Sequence, residues 1–225
     1  MKRGINLKMD KDGLVFSYIT EYMRAVRRER GGKLGDLERY ARQEKFPIAE
    51  PETADLLQIL CGLMQPDRII EIGTCIGFSA LLMHEACPGA EILTMERNPV
   101  MIRQAMQNFA AFDAQRNITL LEGDACEILP TIPGTAGLIF MDAAKGQYPV
   151  FLKECLRLLR PGGILVADNV LFNGMVASGK PDIRRNKTIL TRLDMFVRQL
   201  ESEESLTTVI LPISDGVTVS FRRKY

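Results

Sequence analysis

The stretch Ile69-Ile70-Glu71-Ile72-Gly73-Thr74-Cys75-Ile76-Gly77-Phe78-Ser79 decides the fold. Its branched apolar residues read as a short buried strand. Gly73 and Gly77 then let the backbone turn sharply at the strand's carboxyl end, where a ligand can approach closely. Outward from this unit the pattern repeats. Apolar runs at Glu91–Met95, Ile118–Leu121, Gly137–Met141 and Gly163–Ala167 alternate with helix-length segments, which predicts five parallel strands flanked by helices. Two later runs, Thr207–Leu211 and Val217–Phe221, are joined through residues 212–216 and read as a hairpin that adds an antiparallel pair to the sheet edge. Upstream, residues 13–65 look helical. Leu14, Ile19, Tyr22, Met23 and Val26 form a rough stripe that ends in Arg27, Arg28, Arg30 and a Gly31-Gly32 stop. A second helix is expected over Leu34–Lys45, and a third over Glu52–Gly62 after the Pro47 and Pro51 breaks. The chain therefore reads as an α/β protein with one domain over residues 1–225: a helical extension (1–65) and a catalytic core (66–225).

Composition narrows the functional classes. The 225 residues carry 29 Lys and Arg against 28 Asp and Glu, a net charge of +1 that gives no strong global field for nucleic acid or membrane. With 46% apolar residues the chain is not disordered, and no run reaches the roughly 18 apolar residues of a spanning helix. The N-terminus lacks the apolar core of a signal peptide. The five widely spaced Cys include no CxxC pair, which argues against a disulfide framework or structural zinc and fits a reducing cytoplasm. One His, His84, makes a His-based triad or multi-histidine metal site improbable.

Three signals lie just past successive strands. Gly73-x-x-x-Gly77 lacks the middle Gly of the dinucleotide fingerprint, which counts against pyrophosphate and a nicotinamide oxidoreductase. Glu96, at the end of strand two, is placed to accept from two ribose hydroxyls. Asp124, after strand three, is placed to accept from an adenine amino group. Together they point to an adenosine-containing ligand, and the acidic Glu71 suits a cationic ligand such as a sulfonium. The alternative is that the two glycines only pack a helix on the sheet and Glu96 is a solvated strand end.

Strands four and five end in Asp142 and in Asp168-Asn169. In a parallel sheet these ends are neighbours, and two carboxylates with an amide oxygen form a hard oxygen set for Mg²⁺. Lys145 stands three residues beyond Asp142, where a nearby cation and desolvation would depress its pKa and let it take a proton. Singly, each Asp also reads as a helix cap, Asn169 as a turn residue and Lys145 as a surface charge.

As a set, Glu71-x-Gly73, Gly77-Phe78-Ser79, Glu96, Asp142-x-x-Lys145-x-x-Tyr148 and Asp168-Asn169-Val170 resemble the cation-dependent O-methyltransferases of the catechol and caffeoyl-CoA type. The resemblance covers about residues 45–222. It implies a class I methyltransferase Rossmann-like fold and S-adenosylmethionine as donor. It further implies a divalent metal, most simply Mg²⁺, on Asp142, Asp168 and Asn169, with Lys145 as general base. Glu96 would bind the ribose, Ser79 the methionine carboxylate, Asp124 and Ala125 would lie near the adenine, and Ala49 beside the methionine end. Pro47-Ile48, the 142–148 segment, residues 168–172 with Gly174, and Arg184-Arg185 further resemble a bacterial branch that methylates 5-hydroxyuridine at the tRNA wobble position to 5-methoxyuridine. Family members of this kind usually form homodimers.

Catechol enzymes wall their substrate with aromatic gates, including a Trp beside the metal loop, whereas this chain has Ala143-Ala144 there and no Trp. Between residues 180 and 198, six cations (Lys180, Arg184, Arg185, Lys187, Arg192 and Arg198) face two carboxylates, Asp182 and Asp194. Arg222, Arg223 and Lys224 add a basic end. Arg184, Arg185, Lys187 and Arg192 are the candidate contacts to phosphates of a tRNA anticodon loop, with Phe172 or Tyr148 to stack on the inserted base. The bland alternative is a solvated helix face. Three functions stay in play: a methyltransferase acting on tRNA, one acting on a small catechol-like phenol, and a non-catalytic RNA-associated protein that binds the cofactor. The intact set of Asp142, Asp168, Asn169 and Lys145 argues against the last.

Overall fold

The computed structural model describes residue 9 and residues 14–112, 114, 116–180, 183 and 186–224. Three helices lead: α1 (Ser17–Val26), α2 (Gly32–Gln43) and α3 (Pro51–Met64). The core then alternates β1 (Arg68–Ile72), α4 (Phe78–Ala86), β2 (Glu91–Glu96), α5 (Pro99–Ala111), β3 (Ile118–Glu122) and α6 (Ala125–Ile128). It continues through β4 (Ala136–Met141), α7 (Tyr148–Leu158), β5 (Leu159–Ala167), α8 (Met175–Ser178), α9 (Lys187–Ser202), β6 (Leu206–Leu211) and β7 (Val217–Arg222). The seven strands form one sheet in the order β3-β2-β1-β4-β5-β7-β6. The β1–β2, β2–β3, β1–β4 and β4–β5 pairings are parallel, and β7 joins both β5 and β6 antiparallel. The expected seven-stranded, mostly parallel sheet with its C-terminal hairpin is thus the observed one.

Strand β4 is apolar throughout and β1 is apolar apart from Arg68 and Glu71, because both sheet faces are covered. Alternate residues of β1 and β4 go to opposite sides. Ile69, Leu138 and Phe140 pack with Leu57, Phe78, Leu81 and Phe109 on one face, among α2 to α5. Ile70, Ile72, Ile139 and Met141 pack with Leu129, Tyr148, Phe151 and Phe196 on the other, against α6, α7 and α9. The strand order reverses between β1 and β4, so their carboxyl ends diverge into a crevice. At that point Asp142 N–H donates to the Ile72 carbonyl at 2.9 Å, and Tyr148, wholly buried, donates from its hydroxyl towards the Asp168 carbonyl at 3.0 Å. These bonds set the spacing of the β1, β4 and β5 ends.

Several sequence expectations shift. Gly31-Gly32 does not stop α1, which ends at Val26. Gly31 instead caps α2, and Gly32 opens it with φ +63. The α1 stripe stays at the surface, since none of its residues is buried. Strand five begins at Leu159 rather than Gly163, because Ala136 pairs with Leu159 across a register shift. Three arginines in the last turn of α1 and just after it are tied within the chain. Arg24 bonds Glu50 and Glu52, Arg27 bonds Asp55, and Arg30 bonds Asp55 and Gln58. Glu38, buried on α2, sits against Arg27, Arg30 and Arg42. This network clamps α1 and α2 onto α3. Among the described residues no helix is long and apolar enough to cross a membrane.

Gly73 carries the turn that opens the crevice. It has φ +104, and an added Cβ would lie 2.1 Å from the Asp142 carbonyl oxygen. Substitution Gly73→Ala is expected to lower unfolding free energy by roughly 2–4 kcal/mol, from left-handed strain plus backbone overlap. Urea melts check this, and a loss below about 1 kcal/mol would contradict the close approach.

Candidate active site

A cleft of about 330 Å³ lies at the carboxyl ends of β1 to β4. Gly73, Glu96, Asp124, Ala125, Asp142 and Lys145 line it, as the sequence anticipates, together with Pro47, Met101, Ala143, Ala144, Gln147 and Phe151. The remaining expected residues sit behind or beside this wall. Ala49, Glu71, Gly77 and Ser79 are buried, Asp168 is 2% exposed, and Asn169 is half-buried.

At the adenosine end, the backbone presents the acids. Glu96 Oε2 accepts from Cys75 N–H at 3.0 Å, and its Oε1 accepts from the N–H groups of Arg97 and Asn98, both at 2.9 Å. Those bonds orient the carboxylate at the β2 terminus. Asp124 caps α6 through the Cys126 N–H at 2.9 Å and receives Arg97 at 3.1 Å. The capping bond, with Arg97 beside it, holds its carboxyl below the ordinary range. Its side chain is therefore committed to the helix end as well as to the cleft. Gly77, with φ +86, opens α4, and an added Cβ there would strike the Phe109 ring.

Glu71 is wholly buried and accepts from the Thr94 hydroxyl at 2.5 Å. Burial pushes its carboxyl up to about 8, with Asp142 and Glu96 adding to the rise and the Ser79 and Thr94 hydroxyls opposing it.

At the other end, Lys145 Nζ contacts Asp142 Oδ1 at 2.9 Å. Burial lowers the Lys145 pKa, but the opposing field of Asp142, Asp168 and Asp215 is stronger and the net shift is upward. The expected depression is therefore absent while the carboxylates stand uncompensated. Asp168 is raised by burial and then by Asp142, with Lys145 pulling the other way. Its Oδ1 accepts from Asn169 N–H at 2.7 Å, and Asn169 itself holds φ +57. Asp215, Ser214 and Thr53 also reach this end. Sequence reading missed them, because Thr53 and Ser214 meet across 161 positions and no motif joins them.

The structure describes only part of the expected basic surface. Arg184 and Arg185 lie outside the described residues. Lys187 is exposed on α9, and Arg192 donates to the Gly146 carbonyl at 2.8 Å. Arg198 pairs with Asp194, and Arg222 donates to the Leu156 and Leu159 carbonyls inside the fold. Tyr148 is fully buried against Phe196, their ring centroids 5.2 Å apart, so it cannot stack on an inserted base. Phe172 is only half-buried.

Comparison with known proteins agrees with this architecture. A family model described as O-methyltransferase matches residues 32–224. The O-methyltransferase ankF of Aspergillus thermomutatus is 30% identical over 190 residues, 79% of this chain and 80% of that one. A catechol O-methyltransferase of Niastella koreensis is 34% identical over 131 residues, 56% of this chain and 59% of its own. The S-adenosylhomocysteine-bound methyltransferase PaMTH1 of Podospora anserina superposes with a TM-score of 0.82 at 27% identity, covering 92% of this chain and 94% of that one. With the family model spanning nearly the whole catalytic sheet, the chain belongs to the O-methyltransferase family.

Proposed function

We propose that this O-methyltransferase takes S-adenosylmethionine as donor, requires a divalent cation, and methylates the hydroxyl of 5-hydroxyuridine at the tRNA wobble position to 5-methoxyuridine. The observation that carries the chemistry is the Asp142–Lys145 contact at the cleft rim, backed by the nearly buried Asp168. The cation fits the residues present. Asp142 adds to the cost of ionising the buried Asp168, and the one ammonium nearby, Lys145, contacts Asp142, which leaves an electrostatic deficit that a dication would fill. Asp142 and Asp168 would hold it with Asn169 as third oxygen, a hard oxygen set suited to Mg²⁺. When bound, the cation would acidify the acceptor hydroxyl and cancel the carboxylate field that keeps Lys145 protonated.

The chain's own residues do the rest. Glu96 accepts the ribose hydroxyls, Asp124 and Ala125 border the adenine, and Gly73 lets the donor approach the backbone. Ser79 and Ala49, both buried near the methionine end, close that side. Lys145 Nζ takes the acceptor's proton as the hydroxyl oxygen attacks the sulfonium methyl in line, and S-adenosylhomocysteine leaves. Holding both reactants in one cleft supplies much of the rate.

The tRNA reading rests on Ala143 and exposed Ala144 at the acceptor side, and on Lys187 and Arg192 beyond it. These leave the rim open to a base presented from a large molecule. The second reading, a small catechol-like phenol, draws on the Niastella koreensis relative. Either acceptor offers a hydroxyl beside a second oxygen, so the two can be compared directly. Labelled S-adenosylmethionine with Mg²⁺ is offered tRNA bearing 5-hydroxyuridine or a panel of catechols. The tRNA should be methylated, and Lys145→Ala should lower kcat roughly 10²–10⁴-fold with donor affinity little changed. Turnover of catechols alone would defeat the tRNA reading, and an undiminished Lys145→Ala would remove the base.

We further propose a homodimer, as the resemblance of the sequence motifs to the cation-dependent O-methyltransferases implies. Tyr22 and Val26 on α1 and Leu63 on α3 are 68%, 64% and 79% exposed, which gives a second copy apolar surface to cover. Sedimentation is expected to show about twice the chain mass, and a purely monomeric species at micromolar concentration would overturn it.

A further inference from the structure

Asp168 is held from a direction that the methyl-transfer chemistry does not use. Thr53, in the first turn of α3, is wholly buried, with Oγ1 3.5 Å from Asp168 Oδ1 and 3.0 Å from Ser214 Oγ. Ser214 lies in the β6–β7 turn with φ +51, a conformation that a serine keeps only where its surroundings impose it. Its Oγ is 3.5 Å from Glu52 Oε2. Glu52 in turn receives Arg24 Nε at 2.7 Å and Nη2 at 3.0 Å. One polar chain thus runs from α1 through α3 and the β6–β7 turn to the end of β5.

The Thr53 hydroxyl donates, its one proton shared between Ser214 Oγ and Asp168 Oδ1, and the Ser214 hydroxyl donates on to Glu52 Oε2. Both the Thr53 hydroxyl and the Asn169 N–H fall on Oδ1. Among the described residues no hydrogen bond engages Oδ2, so that oxygen is presented for ligation while its twin is fixed.

We propose that Thr53 and Ser214 are positioning residues for the divalent-cation site: their hydroxyls lock the Asp168 carboxylate and anchor it through Glu52 and Arg24 to the N-terminal helices. This rests on the cation reading above. Groups that orient a metal ligand commonly change metal affinity 10–100-fold when removed.

The test titrates Mn²⁺ into wild type, Thr53→Val, Thr53→Ser and Ser214→Ala, with bound ion read by electron paramagnetic resonance. S-adenosylhomocysteine affinity is measured on the same samples by calorimetry. Thr53→Val, which keeps shape and deletes the hydroxyl, should weaken Mn²⁺ binding about 10–100-fold. Thr53→Ser should restore it to near the wild-type value, and Ser214→Ala should weaken it less than Thr53→Val. S-adenosylhomocysteine affinity should stay near wild type in all three variants. Unchanged Mn²⁺ affinity in Thr53→Val would overturn the proposal. So would parallel loss of both ligands without rescue by serine, which marks a general packing role. Failure of wild type to bind Mn²⁺ would remove the cation reading itself, and the proposal with it.

Discussion

The structure turns on the repulsion between two carboxylates at adjacent strand ends. Asp142 closes β4 and Asp168 closes β5, and burial of Asp168 leaves water little part in separating their charges. Such a pair persists only where something offsets it, by a proton, a cation or a dense set of donors. Lys145 offsets part, from 2.9 Å, and its own raised pKa records how strong the field is. The rest of the site can be understood as the framework that keeps these groups together: Tyr148 tying the ends of β4 and β5, Asp142 N–H tied back to β1, and the Thr53–Ser214 pair behind Asp168.

Topology places that pair where a ligand can use it. The order reversal between β1 and β4 opens a crevice at the strand ends, and Gly73 keeps one wall free of side chain. In the proposed reaction, Glu96 with its backbone donors and the capped Asp124 would serve the donor, the carboxylates would serve the acceptor, and Asp142 and Lys145, both in the cleft wall, would serve the transfer between them.

Much of this was legible in the sequence because it is local. The runs around Ile70, Leu93 and Ile139 give strands whatever lies far away, and Gly73, Glu96, Asp142 and Asp168 are each fixed by their place just past a strand. What was not legible depends on partners distant along the chain. Thr53 meets Asp168 across 115 positions. Tyr148 reads as a stacking platform until its hydroxyl is found inside the sheet. Arg27 and Arg30 read as part of a basic helix end, yet Asp55 on α3 claims both. The Gly31-Gly32 pair fits either a stop or a start, and only the packing of α2 decides it.

The central claim is that the two strand-end carboxylates are built to share a divalent cation. The most direct measurement is a Mn²⁺ titration of wild type beside Asp168→Ala, read by electron paramagnetic resonance in the presence of S-adenosylhomocysteine. The account predicts one tightly bound ion per wild-type chain, loss of that ion in the variant, and S-adenosylhomocysteine binding preserved in both. Equal Mn²⁺ binding by the two proteins would contradict it.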